Sequence, residues 1–291
     1  MIGPGTPKDG WLTPAQDEKP AVPANRETAL NRLVFAVLQG VLLFVAFQVY
    51  KTVRKFGIRE DPSEAYSHAL DIINIQEKLG LMFELDWQRW ALDQGESYIK
   101  FFNYLYAYYM WWVIGGMALL AFFAPVRFRF IRRAFFISMV LVTPMYLIYP
   151  LAPPRFMQDY GWPFVDTMQT YGPNYFSETG LVQANRYAAM PSMHVGWTTF
   201  VAVAVSLLFS NAKVRVAFVT CVALLITYIV IITGNHYWLD AVVGWIFIGA
   251  AFVINHFIPY PLIKGWIESK RTSTQAAPQI SGISKGLHHD D

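Results

Sequence analysis

The chain has 291 residues, of which 55% are hydrophobic and 15% charged, a balance too apolar for an ordinary soluble domain and fitting a chain whose solvent is largely lipid. Its formal charge of +3 lacks the basic excess that tracks nucleic acid, so no nucleic-acid partner is expected. The one cysteine, Cys221, sits in an apolar run, which excludes an intrachain disulfide and a cysteine-built metal site.

Residues 1–29 mix prolines, glycines and charges without the apolar core of a secretory leader, and are expected to form a disordered cytoplasmic tail. Runs able to cross a hydrocarbon layer of ~30 Å follow at Leu33–Tyr50, Phe101–Phe123, Ala134–Leu151, His194–Phe209, Val214–Ile232 and Tyr237–Pro259. They predict an all-α membrane domain over residues 30–263 with six transmembrane helices. The fourth run is short for a lone helix, so its outer end is expected to lie against the bundle. Between the first two runs, Ala65, Ala69, Ile72, Ile73 and Leu79, and then Phe83, Trp87, Trp90 and Ala91, approximate helical spacing. These segments predict two short helices lying in the outer interface with their tryptophans on the apolar face.

Positive charge in short loops sets orientation. Arg127, Arg129, Arg132 and Arg133 between the second and third runs, and Lys213 with Arg215 between the fourth and fifth, mark those loops as cytoplasmic. Both termini are then inside and 151–193 outside, at the cell membrane. Lys51, Arg54 and Lys55 run against this rule, at the head of a longer, acid-containing loop where it is weak. From Lys264 the composition turns polar again, and 264–291 is expected to be a flexible cytoplasmic tail.

Ionisable groups at membrane depth are costly, which singles out His194, His236 and Asp240 at helix ends in apolar surroundings. His236 and Asp240 are four residues apart, a spacing that lets a carboxylate hold an imidazole in one tautomer and leave its other nitrogen available. From His194 the chain descends one run, turns near Asn211 and returns to His236 at the same level. Both histidines start helices, so positive helix ends converge on one outer pocket suited to phosphate, provided the fourth and sixth runs are neighbours, which spacing does not decide. Arg155 follows Ala-Pro-Pro, a stiff exit that aims its guanidinium inward, and Arg186 offers a second cation. Ser192 and Asn235 stand at helix starts as caps that also reach a bound phosphate. His68 and His256 read as interfacial anchors. A proton relay or transporter built on buried His and Asp is a rival reading, as is a His/His/Asp metal site. The clustering of the key residues on one face argues against the former, and the placing of Asp240 beside His236 against the latter.

Pro191-Ser192-Met193-His194 and His236-Tyr237-Trp238-Leu239-Asp240 together resemble the second and third signatures of the type 2 phosphatidic acid phosphatase superfamily. Tyr149-Pro150-Leu151-Ala152-Pro153-Pro154, Ala188 to His194 and Thr233 to His236 look most like its branch containing inositol phosphorylceramide synthases. The resemblance implies a cofactor-free, metal-independent double displacement on a lipid-linked phosphate, hydrolytic or by phosphotransfer. His236 would attack phosphorus, Asp240 would orient it, and His194 would protonate the leaving oxygen. The chain departs from the family pattern where phosphate is held: Ile148 stands where the first signature carries lysine, and Ile229-Val230 where the third carries Ser-Arg. Arg155 and Arg186 remain as candidate clamps.

Overall fold

The computed structural model describes residues 26–56, 61–173 and 185–257; 1–25 and 264–291, the bulk of both expected tails, lie outside these residues. In chain order the helices are α1 (Arg26–Lys55), α2 (Ser63–Lys78), α3 (Glu84–Asp93), α4 (Glu96–Ala107), α5 (Tyr109–Phe123), α6 (Pro125–Val142), α7 (Met145–Ile148), α8 (Thr167–Tyr171), α9 (Met193–Ser206), α10 (Ala212–Ile232) and α11 (Trp238–Phe257). Two single 3₁₀ turns, Pro154–Phe156 and Gln158–Tyr160, fill the stretch between α7 and α8. Among the described residues no strand forms, and the nearest approach to one is an isolated bridge from Leu151 to Ala188.

This is a multi-pass, all-helical membrane protein, but six full spans are not what the helices show. Four stretches are long and apolar enough to cross a bilayer: Thr28–Arg54, Pro125–Ile148, Ala212–Ile232 and Trp238–Phe257. A fifth arises if α4 and α5, bent by 53° at Tyr108, count as one. Helix α9, expected as the fourth span, has 14 residues, hence ~21 Å, too short to cross ~30 Å of hydrocarbon alone. The arginines expected in a loop lie instead on the first turns of α6. Pro125 stands at the start of that helix, where its missing N–H costs nothing, and arginine is a good helix former. They brace the bundle: Arg127 donates to the Leu207 carbonyl (2.8 Å), Arg132 to Gln39 Oε1 (2.6 Å), and Arg133 to the side chain and carbonyl (2.7 Å) of Asn255.

Helix α9 is central, packing on α10, α5 and α6, while α1 packs on α5. In lipid, helices gain little from leaving one apolar solvent for another, so close packing and small residues decide who neighbours whom. A Cβ on Gly116 of α5 would lie 2.3 Å from Val201 of α9, and one on Gly244 of α11 would lie 2.5 Å from the Ser192 carbonyl oxygen at the head of α9. Trp197 fills the middle of this core, wholly buried against Phe135 and Tyr50, its indole N–H satisfied by Ser138 Oγ (3.0 Å).

The short helices α2 and α3 cap one end. As expected, Ala65, Ala69, Ile72 and Ile73 of α2 face inward, though Leu79 is exposed. On α3, Trp87 and Trp90 point outward while Glu84, Gln88 and Ala91 are buried, so Ala91 alone of the apolar set named in the sequence lies on the inner face among these. Its inward polar groups find partners. Glu84 accepts from Gln76 and from the Trp238 N–H (3.1 Å), and Gln88 both donates to and accepts from the main chain of Val165 (3.0 and 2.8 Å). The cap is thereby tied to the first turn of α11 and to the segment before α8.

Candidate active site

The two histidine motifs meet because α9 and α11 touch where each helix begins. The Ser192 N–H donates to the Asp240 carbonyl (2.9 Å), and Gly196 and Gly244 face each other across the seam. Ser192 Oγ accepts from the Val195 N–H (3.5 Å), capping α9, and the side chain is fully buried. His194, on the first turn of α9, lies between the rings of Tyr106 (centroids 4.0 Å apart) and Tyr109 (3.8 Å). His236 sits two residues before α11 begins, and its ring centroid is 5.5 Å from that of His194.

His236 is buried and held from behind. Its Nδ1 lies 2.8 Å from the Ala189 carbonyl oxygen and 3.3 Å from Asp240 Oδ2, whose carboxylate also accepts the Tyr237 N–H (2.9 Å). The expected Asp240 contact is therefore present, with a main-chain carbonyl as the shorter partner, one that no side-chain pattern announces. A proton on Nδ1 satisfies both oxygens and leaves the lone pair on Nε2, an atom that is buried and without a hydrogen-bond partner among the described residues.

In front of the two imidazoles lies a cavity of about 60 Å³ that both line, together with Lys51, Arg54, Arg155, Arg186 and Asn235. Arg155 is buried, its N–H donating to the Gly234 carbonyl (2.9 Å) and Nη1 to Asn235 Oδ1, while Nε lies 3.4 Å from Asp166 Oδ2. Burial presses its ionisation below the ordinary value, with Arg186 adding to the effect and Asp166 opposing it, yet a guanidinium stays charged. Gly234 makes this junction possible: its φ is +68°, and a Cβ there would come within 2.7 Å of Gln88 Nε2. Asn235 therefore orients Arg155, its own amide donating to Thr233 Oγ1 (2.8 Å). Arg186 is exposed, its guanidinium 5.1 Å from the centre of the Phe156 ring.

Of the residues singled out in the sequence, His194, His236, Arg155, Arg186 and Asn235 come together around the cavity. Asp240 stands behind His236, and Ser192 is sealed under the seam, away from the lining. His68 anchors the cap, with Nδ1 2.7 Å from the Pro150 carbonyl and its ring stacked on Tyr149. The cationic side chains of α1, Lys51 and Arg54, were read only as topology charges, and Tyr106 and Tyr109 went unnoticed. Among the described residues no carboxylate lines the cavity, and the cations there offer N–H donors to a compact anion. Among the described residues no cluster of three or more His, Cys, Asp or Glu is arranged to hold a metal ion.

An all-helical membrane domain with paired histidines before a cationic cavity defines a class of membrane proteins equipped to meet an anion. The PAP2 superfamily model matches residues 70–254, more than half of the chain, and the chain belongs to that superfamily. Its members are in general phosphatases and phosphotransferases acting on phosphate esters. Comparison with curated proteins finds no significant match, and neither does comparison with solved structures.

Proposed function

We propose that this protein is a membrane-embedded phosphatase acting on a lipid phosphate or diphosphate through a phosphohistidine on His236. The observation that carries the reading is the buried Nε2 of His236, with the opposite nitrogen held by Ala189 and Asp240 and the cationic cavity beside it. Nε2 forms a bond to phosphorus as the bond to the ester oxygen breaks, and His194 supplies the proton that the leaving alcohol takes up. Water, deprotonated by His194, then attacks the phosphohistidine, releasing phosphate and restoring the Nε2 lone pair. Arg155 and Arg186 meet the charge on the non-bridging oxygens.

A lipid substrate is supported by a second cavity of about 390 Å³ between α5, α9 and α10, lined by residues such as Leu105, Trp112, Val201, Phe218 and Ile226. Tyr109 lines both this apolar space and the cationic one, so a head group in one is within reach of a hydrocarbon chain in the other. In membrane terms the reading has six crossings, the short α9 completed by the chain before it, with both termini cytoplasmic and the site extracytoplasmic.

The test offers purified protein a panel of lipid monophosphates, lipid diphosphates and phosphatidylinositol, with and without a hydroxylated acceptor lipid, in excess EDTA, and follows products by mass spectrometry. Release of inorganic phosphate from a lipid phosphate is the expected result. Transfer of inositol phosphate to the acceptor moves the reading to a phosphotransferase, the activity suggested by the branch resemblance. No turnover of any substrate, or turnover only after a metal is restored, overturns it. For topology, Asp159→Cys and Arg129→Cys in a Cys221→Ser background are labelled in intact cells with an impermeant maleimide; reaction at 159 alone is expected.

A further inference from the structure

Helix α1 lies outside the stretch matched by the superfamily, residues 70–254, yet its last turn reaches the catalytic cavity. Arg54 brings a guanidinium there, over the Tyr146 ring at 4.4 Å from its centroid, with the Tyr50 ring at 5.6 Å. The nearer ring and the Arg54 main chain are themselves held. Tyr146 donates its hydroxyl hydrogen to the Pro191 carbonyl (2.9 Å), directly before the α9 cap, and Asn185 Nδ2 donates to the Arg54 carbonyl (3.4 Å).

A guanidinium stacked by its face keeps its N–H edge for an acceptor in the plane. Arg54 Nε is buried and makes no hydrogen bond among the described residues, none of which brings a carboxylate to the cavity lining. Arg155, by contrast, already shares its guanidinium with Asn235 and Asp166. Ile148, at the position where the family's first signature carries lysine, is 66% exposed and cannot serve the cavity.

We propose that Arg54 binds the non-bridging oxygens of the substrate phosphate, so that a helix outside the family-matched region supplies the cation that position 148 lacks. The inference rests on the reading of the site as a phosphoryl-transfer centre. Arg155 and Arg54 then approach one anion from two walls of the cavity, the second with fewer competing partners.

The full-length protein in detergent tests this with Arg54→Met, which keeps a stem to pack on Tyr146, and Arg54→Lys, which keeps the charge but loses the planar fork. Two quantities are read: kcat/KM on whichever lipid phosphate the wild type hydrolyses, and the rise in melting temperature caused by orthovanadate, which reports anion binding without turnover. Arg54→Met should lower kcat/KM about 100-fold, a loss typical of removing one charge-stabilising donor, and abolish most of the vanadate-induced rise. Arg54→Lys should fall between it and the wild type. Wild-type kcat/KM and vanadate response in a folded Arg54→Met overturn the proposal. Should that variant fail to fold, Arg54→Lys decides, an undiminished vanadate response overturning the proposal and a weakened one supporting it. A wild-type protein inert toward every lipid phosphate instead sinks the functional reading, a separate result from unchanged vanadate binding in the variants.

Discussion

The cavity has two walls built on different plans. The histidine wall comes from two short motifs at the heads of α9 and α11, Ser192 to His194 and His236 to Asp240, each held by bonds within a few residues and joined to the other through main-chain groups. The cation wall is gathered from afar: Arg54 from α1, Arg155 from the turn after α7, Arg186 from the segment before α9. A reactive group requires one fixed orientation, which local geometry supplies. A charge that holds an anion needs only to arrive within reach, and any element that passes the cavity can bring it.

That contrast predicts an uneven response to substitution. His236→Ala should lower turnover by about 10⁴-fold or more, as losing a nucleophile does, while the melting temperature in detergent stays near wild type. Acid-free quenching of the wild type on labelled substrate should place phosphate on residue 236; label on another residue would break the distinction between the walls. Arg155→Ala should cost about 10²- to 10³-fold in kcat/KM, with Arg155→Lys recovering only part, because lysine cannot replace a guanidinium braced by Asn235. Equal activity of the lysine variant and the wild type would mean that charge alone matters there.

Gly244→Ala probes the seam. Alanine should favour a helix by ~1 kcal/mol, but its Cβ would stand 2.5 Å from the Ser192 carbonyl, a main-chain atom that cannot swing aside. Overpacking of this kind costs about 1–3 kcal/mol, so the net effect should be destabilising, with activity falling further than stability as the histidines part. Denaturation in mixed micelles beside a kcat measurement checks both, and a stabilised, active variant would refute the seam.

The smallest effect concerns the cap. Burial raises the Glu84 carboxyl above its usual range, with the bonds from Gln76 and Trp238 opposing the shift. The neutral acid is then the form the fold prefers. Its contribution is complete below the unfolded value of ~4.3 and is lost as pH rises through the higher folded value. Glu84→Gln should flatten that decline in melting temperature above pH 4, by about 2 °C, and a slope identical to wild type would reassign it.

The histidine wall was legible in the sequence because its information is short-range: Pro-Ser-x-His and His-x-x-x-Asp are read without knowing what packs where. That α9 neighbours α11 was not legible, since Gly196 and Gly244 signal closeness only once they oppose each other. Arg54 was passed over because a cation at a helix end gives the same signal whether it faces lipid head groups or a buried cavity. Near a bilayer the tryptophans of α3 find an apolar medium outside the protein, so periodicity marked their face and left the buried polar one, Glu84 and Gln88, unnamed. The arginines of α6 were recognised as a cluster and misplaced in a loop, because charge density was given more weight than helix propensity.

The bond from the Ser192 N–H to the Asp240 carbonyl joins the two histidine segments through atoms common to every amino acid. With the Ala189 carbonyl that holds His236 Nδ1, both acceptors joining these segments are main-chain oxygens. Side chains elsewhere in the core can then change while these acceptors stay, so the spacing of the two imidazoles is open to preservation as the surrounding pocket diverges.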